Sequence, residues 1–234
     1  MSTPAFTVVV CAAADRPLDW FTASELMDAH DLPSGTPCPH YPVRRRRLIG
    51  WFSRWSAHHL IAAVRRNGAV TRTAGGRRNR LDLHLAARQA HRAALIRWRQ
   101  WHRAVKGTPA ARPWTHFLEQ HRTDPDEVSY DEAVARFEAQ PRVLAMLAYN
   151  AHPARPITLD PNELDAYQAG EDTYTVLHWQ RAITGDMLVT ADGRLLQPTS
   201  PTVADRLHYL REASAYLHRF PARGRLLAVR ITNP

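Results

Sequence analysis

Side chains able to carry out acid–base or metal chemistry are plentiful in this 234-residue chain, which holds 13 histidines and two cysteines. A structural zinc site needs four ligands at regular spacing. Cys38 and His40, together with His30, have neither a second cysteine pair nor a spaced pair of histidines beside them. His58 and His59 are adjacent, so a helix would direct them to different sides. The histidines therefore predict no metal centre.

Carboxylates offer a second possible chemistry, because Glu163, Asp165, Glu171 and Asp172 could converge on a magnesium ion for phosphodiester cleavage. Asp160-Pro-Asn-Glu163, however, is typical of a helix N-terminus. The sequence lacks a glycine-rich phosphate loop, a nucleophile elbow and a dinucleotide-binding fingerprint. It therefore predicts no catalytic residue and no cofactor, with a metal-dependent enzyme acting on nucleic acid as an alternative.

The distribution of charge is more informative than the net charge of +9. Residues 1–107 hold 18 basic and 6 acidic side chains, whereas residues 108–234 hold 13 basic and 16 acidic ones. All basic residues except Lys106 are arginine, as GC-rich codon usage favours. Codon usage does not explain why the charge is concentrated in one half. The asymmetry indicates a localised surface for a polyanion such as nucleic acid.

The elements that would position these arginines can be read from local patterns in the first 107 residues. Near the N-terminus, Thr3-Pro4 is typical of a helix start whereas Val8-Val-Val10 favours a strand, and both remain open. Thr22 and Glu25 form a capping box for a helix that ends before Leu32-Pro33, and a proline-rich loop follows at 33–43. The patterns then predict a helix at 57–67 that is capped by Ser56 and ends at Gly68. Two strands at 69–73 and 80–85, joined through Gly75-Gly76, and a long basic helix at 86–106 are predicted to follow.

This order of elements resembles the winged helix-turn-helix superfamily of DNA-binding domains over about residues 4–86. The resemblance lies in Thr22-Ala-Ser-Glu-Leu26, in the segment from His59 through Gly68 to Arg72, and in the segment from Gly75 to Leu83. It implies a recognition helix in the major groove and a basic wing on the phosphates. The implied base-facing residues are Ser56, His59 and Arg66. The implied phosphate contacts are Arg44, Arg45, Arg46, Arg47, Arg54, Arg72, Arg77, Arg78 and Arg80.

One departure from the superfamily pattern concerns the connection before the predicted recognition helix. About two dozen residues separate His30 from Ser56, where the pattern has only a few. Either an additional helix spans Val43–Trp55 or the recognition helix is extended. A winged helix that binds protein or RNA as an adaptor is a further alternative.

The C-terminal half resembles no family. After a linker at 108–113, the patterns predict a hairpin at 187–196 turning on Asp192-Gly193, a last strand at 225–232, and helices near 114–121, 130–139, 142–149, 161–168 and 202–219. The expected fold is an α-rich α+β protein with a winged-helix domain at 1–86, a connecting helix at 87–107 and an α+β domain at 114–234.

The expected function is non-catalytic binding of double-stranded DNA by a transcriptional regulator, or by a replication or partition factor of a plasmid or phage. The connecting helix could pair two copies as a homodimer. The chain has no run of 18 apolar residues, so no membrane partner is expected. A cytoplasmic, nucleoid-associated location is the expectation that follows.

Overall fold

The structure, a computed structural model, describes residues 5–44 and 59–232. These residues form a mixed α+β fold with nine strands and eight α-helices. They divide into two compact units, one comprising residues 1–90, 177–200 and 205–234, and the other comprising 91–176 and 201–204. The expected α+β class is therefore observed, but the winged-helix arrangement is not confirmed.

A six-stranded sheet forms the centre of the first unit. Its strands are β1 (Ala5–Ala12), β2 (Thr36–Pro37), β6 (Gly75–Arg77), β7 (Met187–Val189), β8 (Leu195–Leu196) and β9 (Arg225–Thr232). β1 pairs in parallel with β7 and antiparallel with β9, while β2 and β6 follow one another along the other edge of β9. The sheet thus joins strands from both ends of the sequence. The domains predicted at residues 1–86 and 114–234 therefore do not coincide with the compact units.

Strand β1 resolves the ambiguity near the N-terminus in favour of extended structure. Val8, Val9 and Val10 are fully buried because β1 lies between two other strands with both faces covered. A continuous run of β-branched residues is what such a central strand requires. Helix α1 (Trp20–Asp28) and the sheet share one apolar core, to which Ala23 and Met27 contribute.

Several predicted elements are confirmed with small shifts in their ends. Helix α1 is capped by Asp19, whose Oδ1 accepts from the backbone N of Thr22 at 2.9 Å, so the cap precedes the predicted Thr22. The β7–β8 hairpin and strand β9 lie where the sequence predicted them. The confirmed helices are α2 (Leu83–Ala104), α3 (Trp114–Thr123), α4 (Tyr130–Glu138), α5 (Pro141–Ala151), α6 (Leu164–Gln168) and α8 (Val203–Arg219).

The second unit is helical, and its core combines aromatic and aliphatic residues. Phe117 of α3 and Phe137 of α4 are buried with their ring centroids 5.9 Å apart, while Val143 and Met146 bury one face of α5. Ser129 caps α4 by accepting from the backbone N of Glu132, and Pro141 occupies the first turn of α5. Helix α7 (Glu171–Thr184) was not predicted. Its start is marked by Gly170 at φ +102° and by Glu171 and Asp172 in its first turn.

The predicted recognition helix at 57–67 is wrong over residues 59–67. Ile61 forms a β-bridge with Gly75, and Val64–Arg66 is strand β4, which pairs with β5 (Ala69–Thr73). Asn67 and Gly68 have φ values of +49° and +76°, as a type I′ turn requires at both central positions. Asn-Gly therefore marks a hairpin turn here and not the end of a helix.

The predicted strand at 80–85 is also wrong. Residues 78–80 form a 3-10 turn, and α2 begins at Leu83, with Asp82 Oδ1 accepting from the backbone N of Leu85. The partner of β5 on its other side is instead the short strand β3 (Tyr41–Pro42), which completes a second, three-stranded sheet in the order β3-β5-β4.

Candidate nucleic-acid interface

An arginine-bearing hairpin formed by β4 and β5 is an exposed basic element of the first unit. Every residue from Ala62 to Ala69 is exposed, and Val64 keeps 44% of its surface in contact with solvent. Arg65 and Arg66 lie directly before the Asn67-Gly68 turn. We refer to residues 62–72 as the arginine hairpin.

The arginines at the tip of this hairpin are not neutralised by neighbouring acids. The Arg65 guanidinium donates to the carbonyl oxygen of Gly68 at 3.4 Å, and the Arg66 guanidinium forms no hydrogen bond or ion pair with the other described residues. The sequence around the hairpin contains no Asp or Glu from Leu32 to Leu81, a stretch of 50 residues with 11 arginines. Such a segment carries a strong local positive potential.

Arg72, one of the predicted phosphate contacts, also binds the backbone of the protein itself. Its Nε donates to the carbonyl oxygen of Pro39 at 3.1 Å and its Nη2 to that of His40 at 2.7 Å. These bonds hold the loop before β3 against the base of the hairpin. Arg72 therefore anchors the hairpin, and its side chain remains exposed.

The base of the hairpin is fixed to the main sheet through Gly75 and Gly76. A Cβ atom on Gly75 would lie 2.2 Å from the carbonyl oxygen of Leu226, and one on Gly76 would lie 2.9 Å from that of His59. Both glycines permit a close approach of backbones in β6, and they do not form the predicted hairpin turn. Thr73 adds to this anchor, because its Oγ1 donates to the carbonyl oxygen of Ile61 at 2.6 Å.

The remaining predicted arginines fall into two groups along the same region. The backbone N of Arg44 donates to the carbonyl oxygen of Arg80 at 2.8 Å, which brings exposed Arg44 next to half-buried Arg80. Arg77 is the register partner of Arg225 in the β6–β9 pair, and the buried Nε of Arg78 has no hydrogen-bond partner in the described part of the chain. Sequence reasoning did not identify Arg225, because only strand pairing places it here.

The predicted base-facing residues are not brought together on a helix. His59 is exposed in a single turn before Ile61, and Arg66 lies on β4. Ser56 and the predicted phosphate contacts Arg45, Arg46, Arg47 and Arg54 lie outside the described residues, as does most of the segment 43–55 for which an additional helix was considered.

Histidine and tyrosine side chains form a separate cluster at the C-terminus of α7. The Nε2 of His40 lies 3.0 Å from the carbonyl oxygen of Ala182, Tyr41 Oη donates to that of Ile183, and Tyr209 Oη donates to that of Thr184. The backbone N of Gly185 donates to Arg181. The last four carbonyl groups of the helix, which lack partners within it, are all satisfied in this way.

The environment of this cluster keeps its side chains uncharged. Burial lowers the pKa of His40 to about 4, although its bond to Ala182 opposes that shift, and Arg72 lowers the pKa further. Burial raises the pKa of Tyr41 and Tyr209 well above the ordinary value for tyrosine. These neutral side chains cap the C-terminal end of α7.

The acidic residues considered for metal binding are dispersed among structural contacts. Glu163 Oε2 accepts from Tyr174 Oη at 2.8 Å, and Asp165 Oδ1 accepts from the backbone N of Ala166. Glu171 Oε2 lies 3.6 Å from Nε of Arg99. Within residues 5–44 and 59–232, no three His, Cys, Asp or Glu side chains are grouped so that they could hold a metal ion. The described residues give the metal-dependent alternative no support.

Comparison with protein-family models, with curated proteins and with solved structures finds no significant match to this chain. None of the helices that the structure describes is both long and apolar enough to cross a membrane. The function is therefore inferred from the residues and geometry of this chain.

Proposed function

We propose that this protein binds double-stranded DNA without catalysis and that the arginine hairpin is its principal contact. The observation that carries the proposal is the pair Arg65 and Arg66 on an exposed, acid-free hairpin tip. Transcriptional regulation, or the replication or partition of a plasmid or phage genome, is the setting we propose for this binding.

The dimensions of the hairpin suit a DNA groove. A two-stranded β-ribbon fits the major groove, which is about 8.5 Å deep. Strand β5 leads away from the Asn67-Gly68 turn for five residues, which is roughly 16 Å of strand at about 3.3 Å per residue. The tip can therefore reach into a groove while the base of the hairpin stays on the sheet.

The chemistry of the tip suits a polyanion. Arginine donates two parallel hydrogen bonds to a phosphate or to the O6 and N7 edge of guanine. Each phosphate that an arginine neutralises releases condensed counterions, which adds free energy that depends on salt. The register shift between Val64 and Arg65 increases the local twist of the hairpin, and such bulges redirect side chains.

The experiment that tests this proposal measures binding of the full chain to mixed-sequence duplex DNA over a salt series. We expect the double variant Arg65→Gln/Arg66→Gln to bind at least about tenfold more weakly at low salt. The slope of log affinity against log salt should become shallower by about 1 to 2, because each phosphate contact contributes about 0.9. Arg122→Gln/Arg211→Gln, which changes two exposed arginines elsewhere, is the control with matched charge.

Each outcome of this comparison is informative. Equal weakening by the hairpin and control variants would show that only total charge matters, which contradicts the hairpin as the contact. No binding of wild-type protein at about 50 mM salt would overturn DNA binding, because even nonspecific contacts are strong there. A tenfold preference for RNA, or binding that hardly responds to salt, would favour the adaptor alternative.

A further inference from the structure

A cavity of about 300 Å³ lies within the helical unit, and none of its lining residues belongs to the arginine hairpin. The C-terminal part of α2, the loop that follows it, the first turn of α5, and α6 supply its walls. Its volume is at the lower end of the range for small-molecule sites, which is about 300 to 1,000 Å³. A ligand here would have to be small.

Aromatic rings held in fixed positions form one part of the wall. The rings of Trp98 and His102 are stacked with centroids 4.9 Å apart, and those of Trp101 and Tyr167 with centroids 5.1 Å apart. The indole Nε1 of Trp98 donates to the carbonyl oxygen of Tyr167 at 3.0 Å, which fixes its orientation. Flat, immobile rings favour contact with another flat ring.

A cation held by neutral groups forms another part of the wall. The guanidinium of Arg142 donates to Thr108 Oγ1 at 3.2 Å, to Gln168 Oε1 at 2.8 Å and to the Thr108 carbonyl oxygen at 2.7 Å. Gln168 is itself held by two hydrogen bonds to the backbone of Ala111. Arg142 is therefore orientated in advance, and these three acceptors carry no negative charge.

The electrostatic balance of the cavity is positive. Lys106 and Arg142 both line it, and no Asp or Glu is among the described residues of its wall. Arg142 is partly buried, and a partly buried cation whose partners are all neutral is stabilised by a nearby anion. Trp101, only 4% exposed, also has an indole N–H without an acceptor among the described residues.

We propose that this cavity binds a small organic anion, namely a flat ring that bears one carboxylate or one phosphate. The ring lies against the Trp98 and Trp101 side of the wall, and the anionic group lies towards Arg142 and Lys106. The proposal does not depend on DNA binding by the arginine hairpin, because no residue is shared between the two sites.

Four matched probes separate the contributions of ring and charge. Benzoate and phenyl phosphate have both features, phenol has the ring alone, and inorganic phosphate has the charge alone. Each is titrated into the full chain, and the signals of the seven tryptophan indole N–H groups are followed by NMR, with Trp98→Phe and Trp101→Phe used to assign two of them. We expect benzoate or phenyl phosphate to shift the Trp98 and Trp101 signals with at least about tenfold higher affinity than phenol or phosphate.

Variants of the cavity residues test whether the aromatic anion binds at this site. Arg142→Gln should weaken binding of the aromatic anion about tenfold, and exposed Lys106→Gln, which leaves the Arg142 contacts in place, should weaken it severalfold. Arg122→Gln and Arg65→Gln/Arg66→Gln should not change it. Absence of indole shifts at about 10 mM of every probe, equal affinity for phosphate and phenyl phosphate, or affinity unchanged by both cavity variants would overturn the proposal.

Discussion

At the scale of single residues, several polar side chains donate hydrogen bonds to backbone carbonyl groups. This structural role distinguishes them from the side chains to which we assign a function. His40, Tyr41 and Tyr209 each satisfy one terminal carbonyl of α7. Arg72 similarly serves two backbone carbonyls. Arg65 and Arg66, by contrast, stand on the exposed tip where the protein itself supplies few acceptors.

The His40 cap makes stability depend on pH. The pKa of His40 falls from its ordinary 6.5 to about 4 in the folded chain, so the unfolded chain binds more protons between these values. The neutral His40 cap contributes up to about 3 kcal/mol to the free energy of unfolding. This contribution is fully present above pH 6.5 and is lost as the pH falls towards 4. Thermal unfolding from pH 7.5 to 4 should show the melting temperature falling less steeply in His40→Gln than in wild type.

Exposed His84→Gln is the control for this pH series, and it should keep the slope of the wild-type protein. If His40→Gln and wild type lost stability in parallel as the pH fell, His40 would not be held neutral by the fold.

At the scale of elements, the arginine hairpin depends on its turn as well as on its charges. Asn67 and Gly68 both adopt positive φ angles, which most residues adopt only with strain. The turn sets the pairing of β4 with β5 and thereby the direction in which Arg65 and Arg66 project. Geometry and charge can therefore be tested separately.

Replacement of the turn by Asn67→Ala/Gly68→Ala should destabilise the hairpin by about 1 to 2 kcal/mol while both tip arginines remain. Because the hairpin is exposed and anchored only at its base, the rest of the protein should keep its melting temperature. Hydrogen exchange should become faster at the amides of residues 64–73, and DNA affinity should decrease about threefold or more.

Gly193→Ala, at the turn of the β7–β8 hairpin with φ +82°, serves as the control. Unchanged DNA affinity in a variant whose hairpin exchanges rapidly would show that charge acts without hairpin geometry.

At the scale of the whole molecule, the main sheet is completed by pairing between strands near the two ends of the sequence. β9 pairs with β1 along eight residues and also with β2 and β6. The fully buried residues Leu226, Leu227, Ala228 and Val229 belong to this last strand. A fragment that stops at residue 107 would leave β1 and β6 without their main partner.

We therefore expect the fragment 1–107 to remain unfolded, with no cooperative thermal transition by circular dichroism. Residues 91–176 form most of a separate compact unit, so a fragment with these limits should retain helical structure. A cooperative transition in 1–107 would contradict the role of β9, and it would support the division at residue 86 that the sequence suggested.

Local signals determined much of the secondary structure of this protein. The C-terminal helices other than α7, the Asp192-Gly193 hairpin and strand β9 follow from periodicity, caps and turn residues, which act over a few positions. The concentration of arginine before residue 107 is likewise a property of the sequence alone. These features need no information about distant partners.

Tertiary structure decided the elements for which local signals compete. Residues 57–67 have the apolar spacing of a helix, yet Ile61 bridges to Gly75 and Asn67-Gly68 turns the chain, so residues 64–66 become a strand. Gly75-Gly76 looks like a turn, but the approach of Leu226 and His59 is what requires glycine there. Such contacts depend on residues far apart in the chain, and only the folded sheet brings them together.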